Sequence, residues 1–330
     1  AGRRSVWSDS RVIELSKQFV PTTDEVWRLQ GAQDKDALMF QQMANKGHYR
    51  KVGGSRQGIY ICSPSGVLLS SVNSLDPDVV LEIIQNGLNK WNELPHRDRY
   101  LPKDFSENIE HRWEDSFPED GLILKGAKAD LLTDPPKFSE RGDRWNMDHV
   151  WFNKEETSLW IPQNIKQGEI QECSTVIKDR LFRFHLVDNV RGQTLPFAPK
   201  EIKKSILKVE IVEINQSDLK LSIRGNSLAV AKGPWLLGEN DWTPTHELDH
   251  SIETNILGNA IYNTKKEIFT EFELVALGRW IGKTQNNGRH FGPDSGHIGI
   301  LYNLAEDMHE NRISPAFVDL YNADWISQPR

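Results

Sequence analysis

The chain has 330 residues, 38% of them hydrophobic and 26% charged, with a formal charge of −7. That length accommodates two domains, or one large one, around at least one well-buried core. The acidic balance argues against general nucleic-acid binding, which favours a basic stripe, and no apolar run approaches the roughly 18 residues of a membrane span.

Residues 1 to about 94 read as an alternation of helices and strands. Asp9 to Lys17 carries Val12, Ile13 and Leu15 at helical spacing and ends at Phe19-Val20-Pro21. Asp36 to Lys46 repeats the helical period and stops at Gly47. Gly58-Ile59-Tyr60-Ile61-Cys62 and Val67 to Val72 flank the turn Ser63-Pro64-Ser65-Gly66, which predicts a hairpin. Asp76-Pro77 opens a further helix, whose apolar face is Val79, Val80, Ile83, Ile84, Leu88 and Trp91.

This order of elements resembles the later part of a thioredoxin-like domain. In that family a Trp precedes a Cys-x-x-Cys motif at a helix start. Here Trp7 is followed by Ser8-Asp9-Ser10-Arg11, so Ser8 and Arg11 stand where the cysteines belong. The family's cis-proline, just before the hairpin, is matched by Gln57-Gly58, and only six residues precede Trp7. Disulfide exchange needs a thiolate, so the resemblance implies a redox-inactive module. Phe19-Val20-Pro21 together with Arg56-Gln57-Gly58-Ile59-Tyr60 further resembles thioredoxin-like regions of secreted planctomycete-type proteins. That resemblance implies an extracytoplasmic (secreted or periplasmic) address and no particular activity. The start at Ala1 fits a processed product from which a signal peptide has been removed.

Pro95 to about Pro118 is charged and rich in turn residues, a linker or wrapped connection. Residues 119–330 read as β-rich. Leu207, Val209 and Ile211 alternate with Lys208 and Glu210, and Leu219, Leu221 and Ile223 alternate beyond a turn near Asn215. Residues 255–262 and 268–277 pair as a hairpin through Asn263-Thr264-Lys265-Lys266. The expected fold class is therefore α+β: a thioredoxin-like α/β domain over 1–94, then a larger, mainly antiparallel β domain, sandwich or barrel-like. Cys62 and Cys173 are the only cysteines and read as two buried thiols, with a single disulfide the alternative.

His246-Glu247-Leu248-Asp249-His250 spells H-E-x-x-H. On a helix this puts two imidazoles on one zinc ion, with Glu247 the base acting on the metal-bound water. Thr243 as cap, Pro244 at the first helical position, and Glu271 or Glu273 as third ligand would complete that reading. Against it, His246, Leu248, His250, Ile252, Thr254 and Ile256 also fit period two, and Glu271 and Glu273 fall in a strand-like run. Four residues of strand separate two side chains by about 13 Å, too far for one ion. The strand is the reading adopted.

His290, His297 and His309 lie near the C-terminus, the first two on a turn-rich run, and form a weaker metal-binding alternative. Asp148-His149 resembles half of a catalytic triad, but no serine sits in a G-x-S-x-G setting. No nucleotide-binding glycine motif is present, and no cofactor is expected unless zinc. The sequence thus points to a non-catalytic extracytoplasmic protein with a binding or structural β domain and an unidentified protein partner. A zinc-dependent hydrolase is the alternative.

Overall fold

The computed structural model describes residues 4–7, 9–24, 26–49, 55–101, 116–131, 145–192, 194–232, 249–282, 287, 289, 294–318 and 321. These fall in two compact units, the first of residues 4–101 and the second of residues 116–321.

In the first unit, helices α1 (Arg4–Trp7) and α2 (Ser10–Ser16) flank Asp9, whose carboxylate caps α2 by accepting the Arg11 N–H at 2.9 Å. Residues 20–24 are irregular, and α3 (Val26–Gly31) follows where the sequence signalled no element. Helix α4 (Lys35–Lys46) is capped by Asp34 and stops at Gly47. Strands β1 (Ile59–Cys62) and β2 (Leu68–Val72) form the expected antiparallel hairpin. Helix α5 (Pro77–Glu93) begins with Asp76 as cap and Pro77 in its first turn, and α6 (His96–Arg99) ends the unit. Val6, Val12, Ile61, Leu69, Val80 and Ile84 make the core. Each such side chain, fully buried, contributes about 1.5–3 kcal/mol. Helix α5 lies close on the hairpin because Gly87 faces it: a Cβ there would stand 2.8 Å from Ile61 Cγ2. Among the described residues the sheet of this unit has these two strands.

The second unit is built on one eight-stranded sheet. Its strands are β3 (Leu122–Leu131), β4 (Trp145–Phe152), β5 (Ile170–Glu172), β6 (Ile202–Asn215), β7 (Asp218–Ala231), β8 (His250–Asn263), β9 (Ile268–Ile281) and β10 (Ser295–Leu304). They lie in the order β4-β3-β10-β9-β8-β7-β6-β5, every neighbour antiparallel. The turns follow local chemistry. Gln216-Ser217 makes a two-residue turn between β6 and β7, with Gln216 at φ 52°. In the β8–β9 loop, Asn263 Oδ1 accepts the N–H groups of Lys265 and Lys266 at 3.2 and 2.9 Å.

Strands β4 and β5 are the two edges of this sheet, yet they are consecutive in sequence. Residues 153–169 therefore carry the chain from one edge to the other. The crossing starts with α7 (Lys154–Ser158), held by a capping box between Asn153 and Glu156. Trp160 then packs edge-on against Phe152 of β4 and Phe272 of β9, with ring centroids 5.7 and 5.1 Å away. After β5 come α8 (Thr175–Asp179) and a continuous π-helical turn, Arg180–His185. Ile177, Leu181, Phe182 and Leu186 fill the core against the inward residues of every long strand. The antiparallel β domain is as expected. Among the described residues it is a single sheet with one face covered by this crossing, not two stacked sheets, and β4 and β5 are not paired with each other.

Candidate functional site

His250 opens strand β8, as the period-two reading required, with its ring stacked on Phe197 at 5.2 Å on the covered face of the sheet. Burial pushes its pKa down to about 4. Glu271 is paired with Ile261 and Glu273 with Asn259, both on exposed positions of β9. Ile261 and Asn259 stand eleven and nine residues along β8 from His250, about 36 and 30 Å at strand rise. The fold thus does not bring His250 together with Glu271 or Glu273, because the alternation that buries one exposes the others. His246 and Glu247 lie outside the described residues, as does His290. His297 is exposed on β10 opposite Arg279, and His309 belongs to a three-residue 3-10 helix. Among the described residues no group of three or more His, Cys, Asp or Glu side chains is placed to hold a metal ion.

What the fold does assemble is a buried polar cluster on the covered face, around Asp148 of β4. The register aligns Asp148 with Gly126 of β3, and Gly126 with Tyr302 of β10. Gly126 has no side chain, so the Tyr302 ring lies across it; a Cβ would stand 2.3 Å from two ring carbons. The Tyr302 hydroxyl thereby donates to Asp148 Oδ2 at 2.7 Å. His185, the last residue of the π-turn, donates from Nδ1 to the same oxygen at 2.9 Å. The ammonium of Lys128, fully buried on β3, is 3.0 Å from it. The other oxygen, Oδ1, accepts the His149 N–H at 2.9 Å.

Burial alone would raise the Asp148 pKa, but Lys128 and His185 outweigh it and hold the carboxyl well below the usual range. Burial likewise lowers His185, against the pull of Asp148, so its imidazole is neutral. With the proton on Nδ1, Nε2 accepts from the Tyr321 hydroxyl. Tyr321 also presents its ring to the Arg180 guanidinium at 4.0 Å, and Arg180 is paired with Glu156. The π-turn sets Arg180 and His185 to meet the same tyrosine.

A second buried cluster lies further along β3. Arg289 is held by Asp130 at 2.7 Å and by Asp188, with its guanidinium 3.9 Å above the Trp280 ring. Arg191 joins Asp130 at 2.6 Å. Burial raises Asp188 even beside Arg289. Two cations and two carboxylates cancel, the condition for keeping charges in a low-dielectric interior.

The opposite face of the sheet is different in kind. One row, Leu257-Val275-Leu301-Ala127-Met147, runs across β8, β9, β10, β3 and β4 without a polar residue. The adjacent row starts at Asn255 of β8 and adds Leu277, Gly299, Ala129 and Trp145 on the other four strands. Leu257 is 64% exposed and Leu277 53%. Polar residues bound this stripe on both sides: Asn259, Glu273, Asn303 and Lys125 on one, and Glu253, Arg279 and His297 on the other, where Leu131 of β3 continues the row. An open groove of about 730 Å³ runs along the second boundary, lined by Leu131, Glu253, Asn255, Leu277, Arg279 and His297 among others.

No protein-family model, curated protein or solved structure matches this chain.

The sequence singled out Asp148 and His149, and the two do share a local hydrogen bond, from the His149 N–H to Asp148 Oδ1. Adjacent residues of a strand point to opposite faces, so the His149 ring cannot share the Asp148 pocket; His185 does. Lys128, His185 and Tyr302 were missed. The available signal was Lys128 itself, a charge in the inward register of Leu122 and Leu124. The apolar stripe was invisible, since it is a cross-strand pattern that needs the strand order.

Proposed function

We propose that the chain is a non-catalytic, extracytoplasmic two-domain protein whose β-rich domain binds a partner protein through the apolar stripe. The observation that carries this reading is the stripe: one apolar row crossing five strands and a neighbouring one crossing four, with Leu257, Leu277, Leu301, Met147 and Trp145 exposed. Five strands at about 4.8 Å and two rows at about 6.6 Å span an area on the order of the largest apolar patches of soluble monomers, which are commonly functional. The buried clusters are internally neutralised and closed off, which suits a scaffold supporting this face.

The N-terminal unit is read as a thioredoxin-like module without redox chemistry. Helix α2 begins just after Trp7, and the hairpin and α5 follow in the order of that family. Ser8 and Arg11 stand in place of its thiols. Burial raises Cys62 to about 11 and Cys173 to about 12, so neither supplies a thiolate at neutral pH. The resemblance of Phe19-Val20-Pro21 and Arg56 to Tyr60 to secreted planctomycete-type proteins supports the extracytoplasmic address.

A photo-cross-linking residue at position 277 in the producing cell tests the binding role, with one at Glu271, on the same strand face outside the stripe, as control. The reading predicts a discrete protein adduct from position 277 that is absent from position 271 and is lost when Leu257→Lys is added. No adduct, or equal adducts at both positions, contradicts it.

A further inference from the structure

We propose that Lys128 and Asp148 become joined by an intramolecular amide bond, formed by the buried cluster without an external enzyme. The two residues sit diagonally on neighbouring strands, since Lys128 is opposite Asn146 and Asp148 opposite Gly126. Their side chains are 0% and 3% exposed, with Nζ 3.0 Å from Oδ2. Although Nζ lies this close to the carboxylate, it makes no hydrogen bond of normal geometry. The other buried cations at carboxylates, Arg180, Arg183, Arg191 and Arg289, are guanidiniums, which neither lose a proton nor attack. Lys128 alone among these cations has a group that becomes a nucleophile by giving up one proton.

The step balances within the pair. The ion pair is the resting form; in its minor neutral form the ammonium has passed a proton to the carboxylate, and the freed amine attacks Asp148 Cγ. The Cγ–Oδ2 bond breaks, the second nitrogen proton follows, and Oδ2 departs as water. One C–N bond forms, one C–O bond breaks, and no oxidant or cofactor takes part. The hydrogen bonds are arranged for this outcome. Oδ1, the oxygen that stays, is held by the His149 N–H, a donor for the oxyanion of the tetrahedral intermediate. Oδ2, the oxygen that leaves, receives both the Tyr302 hydroxyl and the His185 Nδ1–H. Holding amine and carboxyl in contact replaces a bimolecular encounter, and effective molarities for such pairs reach about 10⁵–10⁸ M. The product is a neutral amide, which removes two charges from a dry interior where each is costly.

The test is the mass of the folded wild-type protein, measured after denaturation, with a tryptic map of the same sample. The proposal predicts a chain lighter by one water, no cleavage after Lys128, and a branched peptide joining residues 126–137 to 145–154. The deficit should vanish in Lys128→Ala and in Asp148→Ala. Wild-type protein at its full sequence mass, with trypsin cutting after Lys128, overturns the proposal whether or not the variants fold. A mass deficit that persists in either variant overturns it too.

Discussion

Tyr302 hydrogen-bonds Asp148 from two strands away, its hydroxyl 2.7 Å from Oδ2, because the residue between them is Gly126. One absent side chain thus couples β10 to β4 across β3 and sets the centre of the buried cluster. Gly126→Ala places a methyl group against the Tyr302 ring. The expected loss is about 1–3 kcal/mol from overpacking, with a further loss of about 0.5–1.5 kcal/mol where the displaced Tyr302 hydroxyl loses its hydrogen bond to the His185 carbonyl. Urea unfolding of Gly126→Ala beside Tyr302→Phe measures both. A Gly126→Ala protein as stable as wild type contradicts the geometry.

His250 gives the second unit an acid sensitivity. Its folded pKa of about 4 lies below the ordinary 6.5, through burial. The unfolded chain therefore takes up a proton at a higher pH than the folded chain does. The associated stability is present above pH 6.5 and is lost as pH falls toward 4, by about 3 kcal/mol at most. His185 and His149, also lowered by burial, act in the same direction. His250→Phe keeps a ring beside Phe197 but takes up no proton, so its stability should fall less steeply between pH 7 and 4.5. Parallel slopes for variant and wild type would falsify the assignment.

The thiols should be inert. Cys62 and Cys173 are raised by burial to about 11 and 12, and the thiolate is the reactive form. An aromatic disulfide reagent at pH 8 should react slowly with the native protein and rapidly once it is unfolded. Reduction of an insulin disulfide by this protein at any multiple-turnover rate contradicts the redox-inactive reading.

The strand at His250 also bears on metal. A ligand that binds only the folded state raises the thermal midpoint by mass action. Equimolar zinc should leave the midpoint unchanged, and a chelator likewise. A zinc-dependent rise that disappears in His250→Ala runs against the separation of His250 from Glu271 and Glu273.

Local chemistry was readable from the chain. Asp76-Pro77 starts α5, Gly47 stops α4, and Asn263 turns β8 into β9, each through contacts within a few residues. Period two placed His250 on a strand. What the chain did not disclose is non-local. Lys128, Asp148, His185 and Tyr302 come from three strands and a π-turn, and their meeting depends on β3 pairing with β10 across some 170 intervening positions, a topological choice that alternation leaves open. Alternation also assigns faces without strand order, so one curtain of eight strands and two stacked sheets look alike in sequence.

The most direct test of the proposed binding face is the double variant Leu257→Lys, Leu277→Lys. Exposed positions tolerate such changes within about 0.5 kcal/mol, whereas an apolar dye that reports exposed hydrophobic surface should lose most of its fluorescence. The expected outcome is an unchanged thermal midpoint with dye binding abolished. A wild-type protein that binds no dye, or a variant that binds it as well as wild type, contradicts it.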